Sequence, residues 1–137
     1  MIIALNNKSN LNKEEFNQYQ ENFSKISTEH QMIMCPTLLN IPMFNLDNCD
    51  LGAQNVSKHE NGAHTGEVSA TQLASHNVKY CIVGHSERRQ ELRETDEEIN
   101  QKIKNLYASD ITPILCVGET REERENNQVK EIITNEV

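Results

Sequence analysis

The sequence has no tryptophan and only three phenylalanines and three tyrosines. Its core must therefore come mostly from aliphatic side chains, and at 36% hydrophobic residues that core is lean. Basic residues are outnumbered by acidic ones, 13 to 21, for a formal net charge of −8. Without a basic face to neutralise phosphates, nucleic acid is not an expected partner. No apolar run approaches the roughly 18 residues of a membrane span, so no membrane association is expected. The opening MIIALNNK is too short for a signal peptide and has no basic flank before it, which makes a cytoplasmic location the expectation. CxxC pairs are missing too. Cys35, Cys49, Cys81 and Cys116 lie far apart, three of them in or at the end of short apolar runs, so buried reduced thiols are expected. His59 and His64 stand five apart in a glycine-containing stretch and do not share a helix face, so no metal site is expected. No GxGxxG or Walker loop follows any apolar run, which disfavours a nucleotide-binding fold.

What the chain does have is an alternation of short apolar runs with longer amphipathic stretches. The runs are Ile2 to Leu5, Met32 to Cys35, Leu51 to Val56, Tyr80 to Val83 and Pro113 to Val117. Between the first two, Asn12-x-x-Glu15 reads as a capping box, and Phe16, Tyr19, Phe23 and Ile26 fall on one helix face. Leu38, Leu39, Ile41 and Phe44 form a weak segment broken at Pro42. Beyond a loop holding Gly62 and Gly66, a helix is expected from Val68 to Ser75 and a short one from Arg88 to Glu94. Thr95-x-x-Glu98 caps a helix carrying Ile99, Ile103 and Leu106. Thr120-x-x-Glu123 caps a last helix with Val129, Ile132 and Ile133. The rhythm is β-α repeated five times, with a period of about 27 residues, as in parallel sheets with right-handed crossovers. The strands are apolar runs rather than alternating ones, as in sheets covered on both faces. A doubly wound open sheet and part of a (β/α)8 barrel fit this pattern equally.

One segment carries chemistry: Ile82-Val83-Gly84-His85-Ser86-Glu87-Arg88-Arg89. The strand ends at Gly84, so His85 stands at its C-terminal end, where α/β folds place their sites. It also lies near a helix N-terminus, whose positive end favours a neutral imidazole able to donate to a developing oxyanion. Read alone, it could equally be a structural histidine, Glu87 and Arg88 a surface ion pair, and Thr65 a turn residue between glycines.

At this segment the chain closely resembles the triosephosphate isomerases, and further motifs agree in order. Asn6-x-Lys8-x-Asn10 resembles the end of the family's first strand and Leu51-Gly52-Ala53-Gln54-Asn55-Val56 its third. Gly62-Ala63-His64-Thr65-Gly66-Glu67-Val68-Ser69-Ala70 is similar to its third loop. Thr112-Pro113-Ile114-Leu115-Cys116-Val117-Gly118-Glu119 resembles its fifth strand. The resemblance implies an α/β fold, the (β/α)8 barrel. Residues 1–137 would be a single partial domain of about five β-α units, with the three C-terminal units missing. It implies interconversion of dihydroxyacetone phosphate and D-glyceraldehyde 3-phosphate, in glycolysis and gluconeogenesis, without cofactor or metal. The family is a standard worked case of a Glu base beside a neutral His electrophile.

By that resemblance His85 is the electrophile, Lys8 the cation near the substrate phosphate, and Asn6 a hydrogen-bonding partner of substrate oxygen. Glu87 orients Lys8, and Ser86 contacts the resting base. Thr65, Gly66 and Glu67 form the loop that enters a neighbouring subunit, implying a homodimer. The base itself, a Glu after the sixth strand, has no counterpart here, nor do the phosphate loops after strands seven and eight. The chain is therefore expected to be inactive alone, and marginal or aggregation-prone because its outer strands have open edges. A non-catalytic half-barrel interaction or scaffold module, or one piece of a split enzyme, is the alternative. Smaller departures are Asn7 where the family has Trp, Leu5 where it has Gly, and His64 where an aromatic is usual.

Overall fold

Each of the five apolar runs becomes a strand in the computed structural model, which describes residues 1–137. These are β1 (Ile2–Asn6), β2 (Gln31–Cys35), β3 (Asp50–Ala53), β4 (Tyr80–Val83) and β5 (Thr112–Leu115). They pair in chain order, β1-β2-β3-β4-β5, and every pair is parallel. Chain order separates the two architectures that the pattern left open. A doubly wound sheet reverses its strand order at a switch point, and this one never does. The sheet instead curls as one side of a (β/α)8 barrel does.

Alternate residues of each strand enter different layers. On the convex face, Met32 and Met34 of β2 pack with Phe16, Phe23 and Leu46. Leu51 and Ala53 of β3 and Cys81 and Val83 of β4 join Val56, Leu73, Ile99 and Leu106 in the largest core. On the concave face, Ile33, Cys35 and Ile82 form a third, smaller cluster. That cluster bridges β2 and β4 across β3 because Gly52 has no side chain there. A Cβ at Gly52 would stand 2.5 Å from Cys35 Sγ and 3.1 Å from Ile33 Cγ2.

The crossovers carry four α-helices and one 3-10 helix, and two further α-helices follow β5. They are α1 (Lys13–Phe23), the 3-10 helix (Leu38–Met43), α2 (Ala70–Ser75), α3 (Ser86–Leu92), α4 (Asp96–Tyr107), α5 (Arg121–Glu125) and α6 (Val129–Glu136). The three expected capping boxes form at Asn12, Thr95 and Thr120, and Ser69 with Gln72 makes a fourth. Each satisfies N–H groups that a helix start otherwise leaves open. No helix is long and apolar enough to cross a membrane.

Four local expectations are corrected, the first being the short helix expected from Arg88 to Glu94, which runs as α3 from Ser86 to Leu92 with Arg93 as its left-handed cap. Helix α1 ends at Phe23, so Ile26 does not share its face and is 46% exposed. Helix α2 starts at Ala70 rather than Val68, because Ser69 takes the capping position. The last helix is two: Asn127 adopts φ +59, a left-handed backbone, and breaks it between α5 and α6. Of the four cysteines, Cys35 and Cys81 are buried, while Cys49 and Cys116 are half-buried.

Candidate active site

The residues singled out from the sequence converge where β1, β3 and β4 end. Asn6 is the last residue of β1, paired with Cys35 of β2. The chain then turns through Lys8, a non-glycine residue in left-handed backbone at φ +51. Asn6 holds that turn by accepting the Lys8 N–H on Oδ1 at 3.0 Å. Just past the end of β3, Gln54 fastens it a second time, donating from Nε2 to the Lys8 carbonyl at 2.8 Å and the Cys35 carbonyl at 2.9 Å. Two independent fastenings explain why a lysine tolerates this backbone.

The Lys8 side chain reaches across to the turn after β4, and its Nζ lies 2.5 Å from Oε1 of Glu87. This contact joins residues 79 apart in sequence. The hydrogen bond from the ammonium, with the charge of Lys8 behind it, holds the Glu87 carboxyl below its ordinary 4.5. Both side chains are about half exposed, so the pair orients the ammonium more than it stabilises the fold.

His85 follows Gly84 and occupies the N-cap of α3. Its Nδ1 accepts the Glu87 backbone N–H at 3.3 Å, with Glu87 Oε2 at 3.5 Å. A backbone N–H is a permanent donor. It therefore keeps Nδ1 as the acceptor and leaves the ring's proton on Nε2, free to be donated. The expected location of His85 at a helix start is thus met by a specific hydrogen bond.

Lys8, His85, Glu87 and Gln54 line a cavity of about 390 Å³ that is open to solvent and bordered by Leu38 and Glu67. Ser86, the first residue of α3, is exposed. Thr65, Gly66 and Glu67 sit on an exposed loop. Gly66 and Glu67 edge the cavity, and Thr65 faces a neighbouring one of about 320 Å³. In the same loop region the rings of His59 and His64 stack at 3.9 Å, a contact their spacing did not suggest.

Other contributors escaped the sequence reading. Gln54 and Asn55 looked like part of a strand, although two polar residues after an apolar run are what a strand end at a site requires. Asn55 Oδ1 accepts from Lys102 Nζ at 2.8 Å, and Lys102 also meets Glu94, which accepts from Arg88 Nε at 2.6 Å. Lys102 is only 4% exposed, so this ion network lies inside, beneath the site. Nothing in the spacing of Glu94 and Lys102 paired them or placed them beneath the site.

The triosephosphate isomerase family model matches residues 1–137. The triosephosphate isomerase of Mycoplasmopsis pulmonis is 43% identical over 126 residues, covering 88% of this chain and 51% of that protein. That of Prochlorococcus marinus is 38% identical over 144 residues, covering 99% of this chain and 60% of its own length. That of Alkaliphilus oremlandii is 44% identical over 139 residues, with 96% and 56% covered. The chain thus spans about half the length of these curated relatives, matching their N-terminal part. A parallel sheet in unbroken chain order, strand ends that gather Asn6, Lys8 and His85, and a match over the whole length lead to one conclusion: the chain belongs to the triosephosphate isomerase family.

Proposed function

We propose that this chain supplies the first part of a triosephosphate isomerase active site, acting on dihydroxyacetone phosphate and D-glyceraldehyde 3-phosphate. Residues 1–137 then form one partial barrel domain. The observation that carries the reading is the Lys8–Glu87 contact beside His85 at the mouth of one cavity. It presents a fixed cation next to an imidazole whose free N–H can donate.

In this reading His85 Nε2 polarises the substrate carbonyl, and the proton it holds passes between the two oxygens of the enediolate. Lys8 steadies the phosphate and the developing negative charge, Glu87 aims it, and Asn6 hydrogen-bonds a substrate oxygen. Ser86 contacts the resting base. Glu119 is engaged by Arg124 and Glu87 by Lys8, so neither takes the role of that base. The base is a Glu outside these residues. The exposed loop at Thr65, Gly66 and Glu67 meets a second subunit in a homodimer, and the protein works in the cytoplasm in glycolysis and gluconeogenesis.

The test is complementation. The chain is joined to, or mixed with, the C-terminal segment of a family member, and isomerisation of D-glyceraldehyde 3-phosphate is followed. Activity is expected in the completed protein, with kcat/KM falling about 10²-fold or more on His85→Gln or Lys8→Met. A completed barrel that folds but never turns over would favour a non-catalytic half-barrel module.

A further inference from the structure

We propose that Arg89 is a positioning residue: it fixes the direction of His85 by gripping the carbonyl of the Gly84–His85 peptide. Its Nε donates to Gly84 O at 2.8 Å. That carbonyl belongs to the peptide unit through which the chain enters His85, so its orientation sets where the imidazole points. Gly84 has φ +69, in the left-handed region that glycine enters freely and leaves as freely. A turn of this kind is accurate only if something outside it holds the peptide.

Arg89 is itself held. Its NH1 lies 2.6 Å from Asp96 Oδ1 at the start of α4 and 3.3 Å from Glu136 Oε1 on α6. The other oxygen of Glu136 accepts the Gly118 N–H at 2.8 Å, in the turn after β5. One guanidinium therefore ties the end of β4 to α4 and, through Glu136, to the end of β5. A merely favourable charge pair with Asp96 could form at the surface, where it would contribute little. Instead the Arg89 side chain is 18% exposed, and its NH2 is buried with no partner. An orphaned buried donor costs stability, so the contact that places the group there, the grip on Gly84, needs a compensating purpose. Lysine could not repeat it: an ammonium lacks the planar fork that reaches a carbonyl on one edge and carboxylates on another.

The consequence for catalysis rests on the reading of His85 as electrophile, whereas the consequence for geometry does not. The test therefore has two arms. In the first, ¹⁵N NMR of histidine side chains is recorded on the chain and on its completed form. His85 is expected to show a single tautomer, with Nδ1 as acceptor and the proton on Nε2. Arg89→Lys and Arg89→Met are expected to blend its two ring signals toward a tautomer average and leave the other histidines unchanged. If Arg89→Met fails to fold, Asp96→Asn loosens the guanidinium without deleting it, and a smaller shift of the same kind is expected. A His85 pattern unchanged in Arg89→Lys and Asp96→Asn, or already averaged in the parent, overturns the proposal. In the second arm the completed protein is assayed. Arg89→Lys is expected to lower kcat about tenfold or more with little change in KM, because a displaced catalytic group is felt in the transition state. An altered His85 spectrum with full kcat would leave the positioning role standing and remove the electrophile role instead.

Discussion

The two faces of the sheet are built from the same strands and finished very differently. On the convex face every inward residue of β2, β3 and β4 is at most 9% exposed, because helices and loops of the crossovers cover it. On the concave face only Ile33, Cys35 and Ile82 reach that state, where the curl around Gly52 brings β2 and β4 together. Toward the edges the concave face opens. Ile2 is 63% exposed and Ala4 is exposed on β1, while Ile114 on β5 is half-buried. A crossover helix can cover only the outside of a curled sheet. The inside of a barrel is filled by side chains from strands across it. The convex face is thus closed over β2 to β4 and half-buried at Ile3, Leu5 and Leu115 of the edge strands, whereas the concave face is closed only at its middle and lies open at β1.

The largest effect that would sharpen this contrast lies on the convex side. Phe16 is fully buried against β2, and Phe16→Ala is expected to destabilise the chain by about 3–5 kcal/mol, read from the midpoint of urea unfolding. A loss under about 1 kcal/mol would mean that the convex core is not packed as described.

The next effect involves a thiol on each face. Burial pushes the Cys35 thiol, on the concave side, up to about 12 from 9.0. Cys81, on the convex side, is raised by burial as well. The folded chain therefore keeps protons that the unfolded chain gives up above about pH 9. This stability is complete below pH 9 and is lost as pH climbs toward about 12. Urea midpoints should fall between about pH 8 and about pH 10.5, and less steeply in Cys35→Ala or Cys81→Ala. An equal slope in both variants would show that neither thiol is sealed from water.

The smallest effect belongs to the concave edge. Ile2→Ser is expected to change stability by less than about 0.5 kcal/mol, since the side chain is already in water. A loss comparable to that of Phe16→Ala would reveal an occupant on the concave face and break the comparison.

The sequence made the outline legible, because it is written in local rules. Periodicity located the five strands, and three S/T/N-x-x-E boxes marked helix starts that the structure keeps at Asn12, Thr95 and Thr120. A glycine between an apolar strand and His85 marked the turn. What was illegible depended on approach in space. The break at Asn127 arises in a charged stretch with no Gly or Pro to announce it. Gln54, which fastens Lys8, looked like part of a strand, and no spacing announced that Lys102 and Glu94 would pair beneath the site.

The sequence by itself determined the order of elements, the residue types at each strand end and the family to which the chain belongs. The first two follow from local pattern and the family from the resemblance of ordered motifs, and all of these are properties of the linear chain. Only the tertiary structure decided that Lys8 meets Glu87 across 79 positions, that Nδ1 of His85 is an acceptor, and that Arg89 holds the Gly84 carbonyl. Each of these is a hydrogen bond, and hydrogen bonds depend on distances and angles that no linear pattern records.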